Sequence, residues 1–150
     1  GKFLPQSWAI ARYLAKEFGF AGKTAFDAAW VDALADQYND FASESRPYMS
    51  VVFGFAEGDK DALLKSVGEP ARDKFFGIVE KQLGKSKSGF LVGESVTWVD
   101  LVIADAVQTV DDKFPKDFLA AFPKVLAHRK KIQAIPKIKE WLELRPKTAY

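Results

Sequence analysis

Apolar residues recur along this chain at intervals of three and four rather than two, and alternating runs are short, so the pattern predicts seven or eight helices and little else. Ile10, Leu14 and Phe18 form a row, with Trp8, Ala11 and Ala15 beside it, and predict a helix from about Gln6 to Phe18. Pro5 presets the backbone at its start and Gly19 supplies a stop. Something must cover the row. Thr24 then opens a long helix, with Asp27 three residues on as a capping-box partner; Phe26, Trp30, Ala33, Leu34, Tyr38 and Phe41 mark its expected buried side. Arg46-Pro47 breaks or bends it, a shorter helix continues from Pro47 to Ala56, and Glu57-Gly58-Asp59-Lys60 is a polar turn. Ala62, Leu63 and Leu64 suggest a helical piece ending near Gly68. Pro70 opens the next helix, which uses Phe75, Phe76, Val79 and Leu83 and stops at Gly84.

Gly84 to Ser95 is a loop rich in glycine and serine, without the Gly-Lys-Ser/Thr spacing of a phosphate loop. The most informative local signal follows it. Thr97 is a good N-cap, and Asp100 at the third helical position reaches back to the cap's amide. Val96 is placed to staple against Leu101. Beyond the cap, Leu101, Val102, Ile103, Ala104, Ala106, Val107 and Val110 make the helix apolar nearly all round, which belongs at the centre of a domain. Asp105 lies inside it and needs a backbone amide, a basic residue or solvent. Pro123 and Pro136 each open a helix. The last helix, with Ile138, Trp141 and Leu142, ends at Arg145-Pro146, and an irregular tail is expected from Lys147 to Tyr150.

Composition narrows the chemistry. The 150 residues suffice for one domain that buries roughly 70% of its unfolded surface. Twenty-two basic and 20 acidic side chains leave a formal charge of +2, too little to argue for nucleic acid or a membrane surface. There is no cysteine, hence no disulfide and no thiol nucleophile, and with a single histidine a structural zinc site is not expected. That histidine, His128, sits in the run His128-Arg129-Lys130-Lys131, which reads as a solvated helix face rather than part of a serine–histidine triad. No stretch approaches the ~20 apolar residues of a membrane span, and no signal peptide is visible, so a cytoplasmic protein is expected.

Three segments carry a family resemblance. LPQSWAIARYLAKEFGFAGKT resembles the region of sigma-class cytosolic glutathione transferases where the thioredoxin-like domain ends and the helical domain begins. SVTWVDLVIAD looks like the capping box and staple of that superfamily's central helix. HRKKIQAIPKIKEWLELRPKT is similar to the sigma-class C-terminal region, and FGFAGKT with the closing tail looks most like the nematode branch. The resemblance implies an all-α fold: residues 1–22 as the last helix and linker of a truncated thioredoxin-like domain, and residues 23–150 as the glutathione transferase C-terminal helical bundle. The absence of an initiating methionine and the uncovered apolar row fit that expectation of truncation. It further implies a homodimeric detoxifying enzyme that joins the glutathione thiolate to hydrophobic electrophiles, with glutathione as co-substrate and no metal required. A glutathione-dependent prostaglandin D synthase or isomerase, and a non-catalytic ligand carrier or crystallin-like structural protein, are the rival readings.

The family's catalytic tyrosine is expected upstream of this chain; none of Tyr13, Tyr38, Tyr48 or Tyr150 matches its motif. Gln6 and Ser7 stand at a helix N-terminus, where free amides and a partial positive charge hold a carboxylate. By resemblance they bind the γ-glutamyl end of glutathione; a plain N-terminal cap is the alternative. Asp40 by resemblance reaches across a two-fold interface to the amino group of glutathione in the other subunit, a charge-assisted contact; the alternative is a solvated acid. Arg12 and Asp36 are candidates for the dimer interface, Arg12 pairing with Asp32 or Asp36 of the partner. Tyr48 and Val102 are candidates for the second-substrate pocket. Thr97 and Asp100 are expected to be structural.

Overall fold

In a computed structural model, which describes residues 1–146, the chain is all-helical, with no strand among the described residues. The irregular tail expected from Lys147 to Tyr150 lies outside the described residues, as does Tyr150. The helices are α1 (Ser7–Phe18), α2 (Ala25–Glu44), α3 (Arg46–Val52), α4 (Lys60–Leu63), α5 (Glu69–Lys85), α6 (Trp98–Lys113), α7 (Pro123–Gln133) and α8 (Pro136–Leu144), with a π-helical turn Leu64–Gly68 joining α4 to α5.

The local signals explain most of these boundaries. Gly19 closes α1 in the left-handed conformation (φ 79°), its N–H bonded to the Ala15 carbonyl. Thr24 and Asp27 cap α2 reciprocally, each backbone N–H bonded to the other's side chain at 3.0 Å. Ser45, fully buried, donates its hydroxyl to the Phe41 carbonyl at 2.6 Å and so satisfies the joint between α2 and α3. Pro123 and Pro136 stand in the first turns of α7 and α8.

α6 is the central helix, packed against α1, α2 and α7. Trp98, Val99, Asp100, Ile103, Ala104, Ala106, Val107 and Val110 are buried, while Leu101 and Asp105 face outward. Asp105 therefore meets its need through solvent and through Arg145, 3.9 Å away. An aromatic layer lies between α2 and α5, where Phe41 stacks on Phe75 at 5.2 Å and meets Phe76 edge-on at 5.4 Å.

Two readings of the helix faces, on α2 and α7, change. On α2 the bundle takes the face of Val31, Leu34, Ala35 and Phe41; Phe26 is 77% exposed, and Trp30 and Ala33 are exposed beside it. At about 100° per residue these three fall on a neighbouring row, because α2 carries apolar residues on more than one face. On α1, where the row of Ile10, Leu14 and Phe18 is expected to lack a cover within this chain, that row faces outward, with Ala15 buried and Trp8 and Ala11 packed against the core. The basic run on α7 is not a uniformly solvated face: Lys130 and Lys131 are exposed, but His128 is buried and Arg129 half-buried.

His128 is buried because its ring closes a polar junction. The Oδ1 of Asp100 lies 2.8 Å from His128 Nε2 and accepts the Leu91 N–H at 2.8 Å. The Oδ2 accepts both the Thr97 N–H and the Thr97 hydroxyl at 2.7 Å. One carboxylate thus ties the start of α6, the preceding loop and α7 together. Thr97 and Asp100 thus form a buried capping box in which both carboxylate oxygens are hydrogen-bonded.

Candidate functional site

The α1 N-terminus is built unlike any other helix start in the chain. Gln6, its N-cap, has φ 75° and ψ 115°, and is the one non-glycine residue with positive φ among the described residues. Its side chain makes no capping hydrogen bond, although its carbonyl accepts the Ile10 N–H at 3.0 Å. Gln6 and Ser7 are both exposed. The first turn therefore presents uncapped amides, the Ser7 hydroxyl and the Gln6 amide to solvent, beside the positive end of a 12-residue helix. Such a turn can hold a carboxylate. The strained backbone at Gln6 costs of order 1–3 kcal/mol and survives where a particular side-chain direction is needed. Nothing in the sequence announced it, since glutamine has no special preference for this conformation.

Just below the turn, Trp8 meets Tyr38 at 6.0 Å and Trp98 edge-on at 5.5 Å between ring centres. Arg12, one turn further, bonds through Nε to Asp32 at 3.2 Å and through Nη2 to Asp36 at 2.9 Å. Both acids belong to the same chain as Arg12. Within the chain, α1 crosses α2 closely enough for the guanidinium to span two carboxylates one turn apart.

Asp40 is exposed on α2, two residues beyond Tyr38. Two residues turn a helix by about 200°, so with Tyr38 against Trp8, Asp40 points away from the α1 turn of its own chain. With Glu44 it makes up the acidic surroundings of Lys74: the Glu44 hydrogen bond and charge, with a smaller push from Asp40, raise the Lys74 ammonium above its usual pKa.

The two pocket candidates part company. Tyr48 is buried in the core, its ring edge-on to Phe114 at 5.1 Å, so it lines no open cleft. Burial, and then the charge of Asp61, push its phenol upward. Aromatic side chains at helical spacing commonly end this way, because a large apolar ring gains most from complete burial. Val102 is half-buried on α6 and packs against the core. Tyr38 is half-buried in the aromatic layer, and desolvation followed by the field of Asp105 raises its pKa. Tyr13 is exposed on α1.

A shallow cavity lies between α6, α7 and α8, walled by Leu101, Ile132, Trp141 and Leu142, with Asp105 and Arg145 at its rim. Among the described residues there is no group of three histidine, cysteine or acidic side chains placed to hold a metal ion, and no helix long and apolar enough to cross a membrane.

Comparison with known proteins bears directly on this geometry. A family model described as "Glutathione S-transferase, C-terminal domain" matches residues 40–145. The chain is 52% identical to a probable glutathione S-transferase 5 of Caenorhabditis elegans, covering all of this chain and 72% of that protein. It is 47% identical to glutathione S-transferase 1 of Ascaris suum, with the same coverage. Among solved structures, a Nu-class glutathione S-transferase from Haemonchus contortus superposes with a TM-score of 0.90 at 49% identity, over all of this chain and 72% of that one. With an all-helical bundle, a buried capping box at its central helix and these matches, the chain belongs to the glutathione S-transferase family and has nematode members as close relatives.

Proposed function

We propose that the intact protein is a detoxifying glutathione transferase in which the α1 turn grips the acidic end of glutathione. In this reading Gln6 and Ser7 bind the γ-glutamyl carboxylate, and the uncapped amides of α1 supply further donors. The observation that carries it is the Gln6 backbone, strained and exposed at a helix start with no side-chain cap. An ordinary N-terminus gains nothing from such strain, whereas a ligand clamp does.

Asp40 serves the neighbouring subunit of a homodimer, where its carboxylate faces the glutathione ammonium. Its direction, turned away from its own α1 turn, is the direction a contact across subunits needs. The exposed apolar row of Phe26, Trp30 and Ala33 on the same helix fits an α2 that meets another surface. The tyrosine that hydrogen-bonds the thiolate belongs to a thioredoxin-like segment preceding residue 1, with residues 1–22 its last helix and linker. Binding energy spent on the peptide by Gln6, Ser7 and Asp40 then places the sulfur for attack on a hydrophobic electrophile. Val102 contributes to the second-substrate pocket, and the protein works in the cytoplasm without metal, membrane or nucleic acid. The sigma class is the assignment that the QSWAIARYL segment supports, within the nematode group.

Removing either contact tests this. Ser7→Ala and Gln6→Ala are each expected to lower kcat/KM for glutathione by about tenfold or more, as loss of a charged-group hydrogen bond does, with the fold intact by circular dichroism. Unchanged kinetics in both variants would remove the site. Mixing Ser7→Ala and Asp40→Asn subunits tests the cross-subunit role. Each mixed dimer has one complete site, so activity should recover above either parent, and no recovery rejects the shared site.

A further inference from the structure

The turn that carries Gln6 and Ser7 joins the helical bundle through α1. Residues 1–7 are all exposed, and Gln6 makes no side-chain capping bond. The first side chain of α1 to reach the bundle is Trp8, immediately after Ser7. What Trp8 rests on therefore helps to set where the turn sits against the bundle.

Three separate contacts converge on Trp98, the first residue of α6. Its ring meets Trp8 edge-on at 5.5 Å. The Arg12 guanidinium lies over the same ring, 5.6 Å from its centre, a cation–π distance, while bonding Asp32 and Asp36 on α2. The Trp98 N–H donates to the Phe20 carbonyl in the linker after α1 at 2.9 Å. So Trp98 holds α1 near its start, in its middle and beyond its end. Trp98 is itself fixed: it is 5% exposed and follows Thr97, whose amide and hydroxyl are locked by the buried Asp100 carboxylate. Ala15 is the one fully buried residue of α1, and Trp8 and Ala11 pack against the core beside it.

We infer that Trp98 and Arg12 are positioning residues for glutathione: they touch no substrate but clamp α1 so that the Gln6–Ser7 turn stays where the peptide's carboxylate must bind. This rests on the reading of Gln6 and Ser7 as the glutathione contacts. A clamp of this kind acts on a defined quantity. Loosening it lowers affinity for glutathione, which depends on the turn, and leaves turnover at saturating glutathione and KM for the electrophile largely as they were. A role in stability alone would instead reduce the amount of active protein, lowering apparent kcat with both KM values unchanged.

The experiment is steady-state kinetics on the intact protein with Trp98→Leu, Trp98→Phe and Arg12→Gln. Trp98→Leu should raise KM for glutathione about tenfold and Arg12→Gln about threefold, with kcat within about twofold. Trp98→Phe, which keeps an aromatic edge for Trp8 and a face for Arg12, should restore most of the affinity. Arg12 is a partly exposed side chain whose loss leaves the core untouched, so Arg12→Gln gives a result even if Trp98→Leu fails to fold. Combined with Ser7→Ala, Arg12→Gln should add little further loss, because the contact it positions is already gone. Glutathione KM values within about twofold of the parent for Arg12→Gln and any folded Trp98→Leu, or full additivity with Ser7→Ala, overturn the clamp while leaving the glutathione site standing. If Ser7→Ala itself leaves glutathione KM unchanged, the site falls, and the clamp with it.

Discussion

Two helix starts in this chain use the same chemistry to opposite ends. At α6 the N-cap amide meets a carboxylate from its own chain: Asp100 is fully buried, accepts from Thr97 and from Leu91 in the preceding loop, and leans on His128. At α1 no side chain caps the helix; the N-cap is a strained glutamine, and the turn is exposed. A helix N-terminus attracts a carboxylate in either case. Where the anion is internal the start of the helix becomes a structural keystone. Where the place is left open, the same attraction is available to a ligand. Trp98 joins the two, so the closed site braces the open one.

The largest test of that contrast is Asp100→Ala. It strips two amides, a hydroxyl and His128 of their acceptor in a buried setting, and should lower the unfolding free energy by about 3–5 kcal/mol in urea or guanidinium titrations. The capping box of α2 is the same device on the surface. Thr24→Ala there should cost only about 1 kcal/mol, since water replaces the lost partner. Equal effects at the two boxes would mean that burial is not what makes α6 special. At the open end the sign reverses. Gln6→Gly removes the Cβ that the backbone strains against, so stability should hold or rise by up to about 1 kcal/mol while glutathione affinity falls.

The smallest effect concerns pH. Burial, and then the charge of Asp61, raises the Tyr48 phenol above its ordinary value, so the folded chain holds that proton more tightly than the unfolded chain does. The stability this represents is complete below about pH 10 and is lost as pH rises through the folded value. Tyr48→Phe should flatten the fall in melting temperature above about pH 10 and change little at neutral pH.

What sequence alone determined is what a few neighbouring residues decide among themselves. Thr24 with Asp27, Thr97 near Asp100, Gly19 after α1 and the prolines opening α7 and α8 act over one turn of chain, and each marked its helix correctly. The resemblance, carried by longer segments, held at the level of the glutathione S-transferase family and its nematode members. Tertiary structure decided whatever depends on a partner distant in the chain. Apolar periodicity shows that α2 has an inward face but not which of two rows the bundle takes, so Phe26 and Trp30 lie outside while Val31 and Leu34 lie within. His128 is polar and is followed by the basic run Arg129-Lys130-Lys131; only the meeting of α7 with Asp100, 28 positions away, makes its burial affordable in free energy. Arg12 finds its acids 20 and 24 residues along its own chain, where periodicity has nothing to say. The positive φ at Gln6 is a backbone angle, and a residue's name does not record the angle it adopts.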